Sequence, residues 1–330
     1  MQDHPLFKKP ALFLAPLAGL THAPFRRLLS DFGGYSALYS EMLAAAPLLS
    51  QDLHTSPYTK RRAAEGKVVY QLQINNDSPI EKIVTRLKEE IQPWALDLNL
   101  GCPAPAVRKK RMGSALFEHP KEVAQVLTRI HSVWNGPLSI KSRLGSRKDA
   151  QWFTHLETLL NLCEKAELDW YTIHARFWED GRKRPIQTAQ YARITEITDI
   201  PLIANGEITT LPQLSQPNFT SLSGVMIGRM AIVKPWIFKM LSNPHFNENE
   251  VNYAEVWAQL FNYVKEEFIH HKAVGRMKQF TSYYGQNFFY GHTLYSQMIN
   301  CTSLDEMYEV VMSFLAKEQR MVKSIKILEL

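Results

Sequence analysis

Between positions 12 and 230 the chain repeats one pattern: a short apolar or β-branched run, then a longer segment with helical periodicity. The runs are LFLAPL (12–17), SALYSEM (36–42), KVVYQLQI (67–74), WALDLNLG (94–101), PLSIKSRLG (137–145), WYTIHARF (170–177), PLIANGEI (201–208) and GVMIGRM (224–230). Parallel strands cannot be joined by a tight turn and need a crossover of roughly a dozen residues or more, usually helical. The intervening segments are long enough, and they read as helices. APFRRLLSDFG puts Phe25, Leu28 and Leu29 on one face and Arg26 and Arg27 opposite. HPKEVAQVLTRIHSVW repeats Val123, Val126, Leu127 and Ile130 at helical spacing. Eight such alternations predict an α/β fold, a (β/α)8 TIM barrel. An open doubly wound sheet would carry a glycine-rich turn after its first strand, and APLAGLTHAPF does not fit that fingerprint.

After the eighth run, SNPHFNENE is polar and contains proline, so a boundary is expected near residue 246. Residues 1–245 would form the catalytic barrel. Residues 246–330 show no strand pattern and read as three or four helices, a small helical domain. At 45% apolar and 21% charged, the 330-residue chain has the composition of a folded globular protein. Its net charge of +6 mildly favours a polyanionic partner.

In such barrels, catalytic groups sit at the C-terminal strand ends. There the sequence gathers Pro16 and Ala18, Glu41, Gln71, Asp97, Asn99 and Cys102, Lys141 and Arg143, His174 and Arg176, Asn205, Gly206 and Glu207, and Gly228 with Arg229. Polar side chains at one rim are costly unless paired or functional. His174 is the one histidine among them, so no metal set is expected. No nucleophile elbow is present. This inventory suits a planar, hydrogen-bonding cofactor with a phosphate near the loops after strands seven and eight. The three cysteines, Cys102, Cys163 and Cys301, have neither metal-ligand nor disulfide spacing. With no signal-peptide core in MQDHPLFKKP and no run of membrane-span length, a cytoplasmic protein with no membrane association is expected.

LNLGCPAPAVRKKRMGSALFEHP, with APLAGLTHAPFR, YQLQ, IKSRLG, IHAR, IANGEI, MIGRMAIVKPWIF and the late GRMKQFTSYY, resembles the tRNA-dihydrouridine synthases. The likeness is strongest to the bacterial B-type enzymes, through GCPAPAV, GSAL, HAR and PWIF. That resemblance implies an FMN-dependent oxidoreductase, reloaded by NADPH, that reduces the C5–C6 bond of particular tRNA uridines. No obligate protein partner is implied. By matching motifs, Pro16, Ala18, Gln71, Lys141, His174, Asn205, Gly206, Glu207, Gly228 and Arg229 would line the FMN site. Cys102 would be the general acid. A free thiol has a pKa of about 8.5, so it holds a proton at neutral pH that it can give to an enolate carbon.

Asn99 would hydrogen-bond the uracil edge or the flavin, and Arg143 and Arg176 at the same rim are further candidates to bind substrate. Glu41 and Arg143 can also be read as rim salt-bridge partners. A base that reaches the thiol brings nucleic-acid backbone across the rim. Arg108 and Lys109, which begin a run of four cations just past Cys102, are candidates to meet it. In the helical domain Lys272, Arg276, Gln279, Tyr283 and Gln286 would share one face, with Lys278 nearby, and Val274, Met277, Thr281 and Phe288 the other. A basic and aromatic face suits RNA. The chain departs from the family pattern after Arg176, where Phe177 replaces the usual threonine and the loop over 177–187 is altered.

Two other functions use the same parts. A flavin barrel acting on a free pyrimidine, of the dihydroorotate or dihydropyrimidine dehydrogenase type, would share the chemistry but not need the basic run or the helical domain. A non-catalytic RNA-binding barrel would be expected to lack the thiol or the cofactor residues.

Overall fold

The structure is a computed structural model that describes Lys8, residues 10–180 and 184–322, and Ile325. Gly181, Arg182 and Lys183 of the divergent loop lie outside the described residues, as do the outer ends of the two expected domains. All eight expected strands are present: β1 (Ala11–Leu14), β2 (Leu38–Ala44), β3 (Val68–Gln73), β4 (Ala95–Leu100), β5 (Leu138–Arg143), β6 (Trp170–His174), β7 (Leu202–Asn205) and β8 (Gly224–Ile227). Every neighbouring pair is parallel, in the order β1-β8-β7-β6-β5-β4-β3-β2. A bridge from Phe13 to Ala37 and the bond from Ser36 N–H to Leu12 O at 2.8 Å bring β2 back to β1 and close the barrel.

Side chains alternate along each strand, so one set faces the barrel axis and the other the helices. In β4 the leucines 96, 98 and 100 join the outer core, packed with the helices. Asp97 and Asn99 therefore point inward. The lower interior is a separate apolar cluster built around Phe13, Tyr39, Val69, Ala95 and Trp170. Trp170 stacks on Trp94 at 5.6 Å and donates its indole N–H to Tyr39 Oη at 3.0 Å. This aromatic plug closes the N-terminal end of the barrel, leaving the C-terminal end to polar residues.

The first outer helix, Ala23–Phe32, buries Phe25, Leu28 and Leu29 as its periodicity predicts, but it also buries Arg26, expected on the solvent face. Residues 60–65 cover that side of the helix. Arg26 donates to Glu65 Oε2 at 2.7 Å, Thr21 O at 2.9 Å and Lys60 O at 2.6 Å. With its donors matched in this way, a buried guanidinium is tolerated.

Beyond the polar stretch around residue 246, the described residues form four α-helices: Tyr253–Glu267, His270–Tyr284, Gly291–Met298 and Leu304–Leu315. Asn252 caps the first by accepting the N–H groups of Ala254 and Glu255. That helix packs along Ala23–Phe32, where Tyr263 Oη donates to Asp31 at 2.9 Å and Arg27 lies 3.6 Å over the Tyr263 ring. Glu267 accepts from both Lys60 and Arg62. The hydrophobic core runs without interruption from the barrel helices into this segment. Among the described residues no helix is long and apolar enough to cross a membrane.

Candidate active site

Strand register decides which polar residues meet. Gln71, Asp97 and Ser139 are neighbours across β3, β4 and β5, and Asn99, Lys141 and Thr172 form the next rung up. Arg143, His174 and Asn205 form the rung above that. These upper rungs open into a cavity of about 320 Å³ at the C-terminal mouth of the barrel. Of the expected site residues, Pro16, Ala18, Asn99, Cys102, Lys141, Arg143, His174, Arg176, Asn205, Gly206, Glu207, Gly228 and Arg229 line it together. Gln71 does not. It lies fully buried one rung below, donating to Asp97 Oδ2 and accepting from Asn99 Nδ2, each at 2.7 Å.

The loop after β4 holds the thiol from both sides. Asn99 Oδ1 accepts the N–H of Cys102 at 3.1 Å and of Gly101 at 3.3 Å. The Cys102 carbonyl accepts the N–H of Ser114 at 3.0 Å. Gly113 makes that return possible: its φ is +59°, and a Cβ there would lie 2.8 Å from Cys102 O. Cys102 is half-buried and faces the cavity, whereas Cys163 and Cys301 are buried in helical packing.

Among the described residues the cavity wall carries four cations, Lys141, Arg143, Arg176 and Arg229, against one carboxylate, Glu207. Burial pushes the Lys141 ammonium down to about 8 and Arg143 adds to the effect, while Asp97 and Cys102 oppose it. His174 is driven well below its ordinary value by burial and then by Lys141, Arg143, Arg176 and Arg229, so its ring is neutral. Arg176 and Glu207, expected to serve substrate and cofactor separately, form one salt bridge on the wall. Next to it Gly206 has φ +129°, and a Cβ would stand 2.8 Å from Ile186 Cγ2 and 3.0 Å from His174 Cδ2. A cationic, carboxylate-poor pocket with an apolar side from Ala15, Leu17, Met226 and Ile227 suits a planar ring system bearing an anionic tail.

Among the described residues Glu41 makes no rim salt bridge. Its Oε2 accepts the Gly19 N–H at 2.8 Å, its Oε1 is buried without a hydrogen-bond partner among the described residues, and burial raises its proton affinity. Arg108 turns back onto its own loop, donating to Ser114 Oγ at 2.8 Å and Glu118 at 3.1 Å. Lys109 and Lys110 remain exposed. On the helix His270–Tyr284, Lys272 is exposed, Arg276 donates to Tyr58 Oη at 2.9 Å, and Lys278 turns away to the carbonyl of Ile299 at 2.6 Å. Val274, Met277, Thr281 and Phe288 are buried, as expected of the opposite face. Phe177 is buried edge-on to Trp152 at 5.1 Å, and its carbonyl accepts from Arg143 at 3.2 Å. The Phe177 ring thus packs the loop, and its backbone carbonyl helps aim a cavity cation.

A family model described as "Dihydrouridine synthase (Dus)" matches residues 13–319, barrel and helices together. The chain belongs to the dihydrouridine synthase family. Among its relatives is the "tRNA-dihydrouridine synthase B" of Pasteurella multocida (strain Pm70), 30% identical over 238 residues, which are 71% of this chain and 70% of that one. The protein of the same description from Proteus vulgaris is 31% identical over 238 residues, 71% and 72% of the two chains. In fold alone, the dihydrouridine synthase barrel is similar to an old yellow enzyme homologue from Zymomonas mobilis, with TM-score 0.52 at 10% identity over 76% of this chain and 92% of that one.

Two groups of cavity or near-cavity residues were not assigned from the sequence of this dihydrouridine synthase family member. Asp97 is expected at the strand end, but nothing in the sequence pairs it with Ser139, although the two stand two positions before the inward residues Asn99 and Lys141. Gln279 and Tyr283, expected on the helix face that suits RNA, also line the cavity. No local signal marks a helix residue as reaching a strand mouth more than two hundred positions away.

Proposed function

We propose that this protein reduces the C5–C6 double bond of a uridine in tRNA, with FMN as hydride donor, NADPH as the source of electrons and Cys102 as proton donor. When bound, FMN supplies the hydride that adds to C6 of the uracil. Lys141, with His174, Arg176 and Arg229 around it, would hold the cofactor's anionic groups, because a cation-rich enclosed wall is stabilised by an anion. Pro16, Ala18, Asn205, Gly206, Glu207 and Gly228 complete the lining of that pocket. The Cys102 thiol delivers its proton to C5 as negative charge develops there. Two C–H bonds replace the C5–C6 π bond: C6–H, made with the hydride that the NADPH-reduced cofactor would give up, and C5–H, made with the proton released as the Cys102 S–H bond breaks.

The observation that carries this reading is the placement of a loop-held thiol at the mouth of a cationic barrel cavity, in a chain of the dihydrouridine synthase family. The helical segment from residue 246 onward is the proposed tRNA-binding domain, with Lys272 and Arg276 on its RNA face and Lys109 meeting backbone at the opposite rim.

The test is anaerobic absorption spectroscopy of purified protein. A flavin spectrum that bleaches with NADPH and recovers on adding unmodified tRNA, with dihydrouridine in the product, supports the reading. Recovery with a free pyrimidine instead, or protein that cannot be loaded with FMN, overturns it.

A further inference from the structure

Beneath the cavity the structure holds an uninterrupted hydrogen-bond chain that runs from Ser139 to the backbone of Gly101 and Cys102. Ser139 Oγ donates to Asp97 Oδ1 at 2.5 Å, and Gln71 Nε2 donates to Asp97 Oδ2 at 2.7 Å. Asn99 Nδ2 donates to Gln71 Oε1 at 2.7 Å, and Asn99 Oδ1 accepts from the backbone of Gly101 and Cys102. Asp97, Gln71, Asn99 and Ser139 are all buried.

A primary amide has nearly the same shape whichever way its oxygen and nitrogen face, so neighbours must choose its orientation. Here the two ends of the chain leave no choice. The backbone N–H groups at 101 and 102 can only donate, so Asn99 must present oxygen to them and nitrogen to Gln71. An ionised carboxylate can only accept, so Asp97 demands the nitrogen of Gln71 and sends its oxygen to Asn99. Each link of the chain then joins a donor to an acceptor. If Asp97 offered no acceptor, the Gln71 amide could reverse and set two nitrogens face to face at Asn99. One contact to the loop before the thiol would then be lost.

We propose that Asp97 is a positioning residue for Cys102, acting through the amides of Gln71 and Asn99 to hold the backbone that carries the thiol. Asp97 touches neither the cavity nor Cys102. Its role resembles that of a carboxylate orienting a catalytic group through an intermediary. The chain also occupies both ends of the Asn99 amide, which leaves one Nδ2 hydrogen, and not the oxygen, as its main offer to a ligand in the cavity.

The inference rests on the proton-donor role proposed above for Cys102, so the test pairs an activity readout with two that need no turnover. Amide hydrogen exchange is measured on the full chain as purified, for Gly101 and Cys102 and, as reference, for β8. In Asp97→Ala, exchange at 101 and 102 rises about tenfold while β8 keeps wild-type protection. Alkylation by iodoacetamide, which reaches Cys102 and not the two buried cysteines, accelerates about threefold or more. Reoxidation of the NADPH-reduced enzyme by tRNA slows by at least about tenfold, in kcat and not in KM, while reduction by NADPH is unchanged. Asp97→Asn keeps an oxygen for Gln71 and turns its nitrogen to the Ser139 hydroxyl, so it restores exchange and alkylation to within about twofold of wild type. Gln71→Leu breaks the same chain at its middle and repeats the Asp97→Ala pattern, should that variant fold poorly. Wild-type exchange and alkylation at Cys102 in Asp97→Ala or Gln71→Leu overturn the inference. If wild-type enzyme is not reoxidised by tRNA while exchange responds as stated, the positioning of Cys102 stands and the tRNA reading falls.

Discussion

Gln279, on a helix far along the chain, donates its side-chain amide to the carbonyl of Ala18, in the loop after the first barrel strand, at 3.2 Å. The approach is close: Gly19 has φ +79°, and a Cβ there would lie 2.3 Å from Gln279 Oε1 and 2.4 Å from Arg276 Nη1. One turn further along the same helix Tyr283 faces the cavity. The helical segment therefore supplies part of the cavity wall as well as an outer surface.

Tyr283→Ala is expected to leave the melting temperature within a few degrees of wild type, because the ring is only partly buried. FMN affinity should be unchanged and KM for tRNA raised about tenfold, the loss of one aromatic contact to a base or ribose. Steady-state kinetics with tRNA transcripts checks this. An unaltered KM would mean that the ring is merely cavity lining.

Cys102→Ala should still bind FMN, still bleach with NADPH and still bind tRNA. Dihydrouridine formation should drop by about 10²–10⁴-fold, the usual contribution of a positioned proton donor. Turnover at the wild-type rate in that variant removes Cys102 from the mechanism.

Burial draws the Lys141 ammonium down to about 8. Its ammonium attracts the cofactor's negative charge, and anion binding in turn favours the ammonium. FMN affinity should accordingly be steady at neutral pH and weaken above about pH 8, by up to about tenfold per pH unit until Lys141 in the complex also deprotonates. Fluorescence titration of flavin-free protein between pH 7 and 10 measures it. Lys141→Met should bind FMN more weakly and lose this slope.

Burial raises Asp97 to about 6 from an ordinary 3.8. Between those values the folded carboxyl is protonated and the unfolded one ionised, so unfolding releases a proton and this group's stabilising share disappears as pH rises through about 6. Asp97→Asn carries no such penalty. Its stability relative to wild type should improve as pH rises from about 4 to about 6, by at most about 3 kcal/mol. Denaturant unfolding at a series of pH values checks this: a flat difference would mean that burial does not raise the Asp97 carboxyl, and a slope that continues well above pH 6 would mean that the carboxyl is still protonated inside the barrel at neutral pH.

Gly206→Ala places a methyl group against Ile186 and His174 on a backbone with φ +129°. Strain of this kind costs about 1–3 kcal/mol. The variant should lose several degrees of melting temperature and bind FMN more weakly, since His174 and Glu207 flank the distorted turn. Differential scanning calorimetry and flavin titration together report both effects.

Much of this was legible in the sequence because it follows from local periodicity. Alternation within the runs at 94–100 and 137–143 determined which residues are strand, and the helical spacing between runs required parallel crossovers, so the eight-stranded barrel followed. The small-residue turn at Gly113 and the thiol beside it were visible as a motif. What pairs with what was not. Arg26 looks like a solvent-face residue until residues 60–65 close over it, and Arg108 looks like a rim cation until its loop folds back on Ser114 and Glu118. The neighbours Gln71, Asp97 and Ser139 come from three strands whose register is set by hydrogen bonding across the sheet, with no trace in any one segment. Tyr283 enters the cavity only because the helical segment docks against the first loop, through packing spread over many residues. Periodicity is a property of neighbours in the chain, whereas burial, partner choice and charge environment belong to neighbours in space, and those exist only once the barrel has closed.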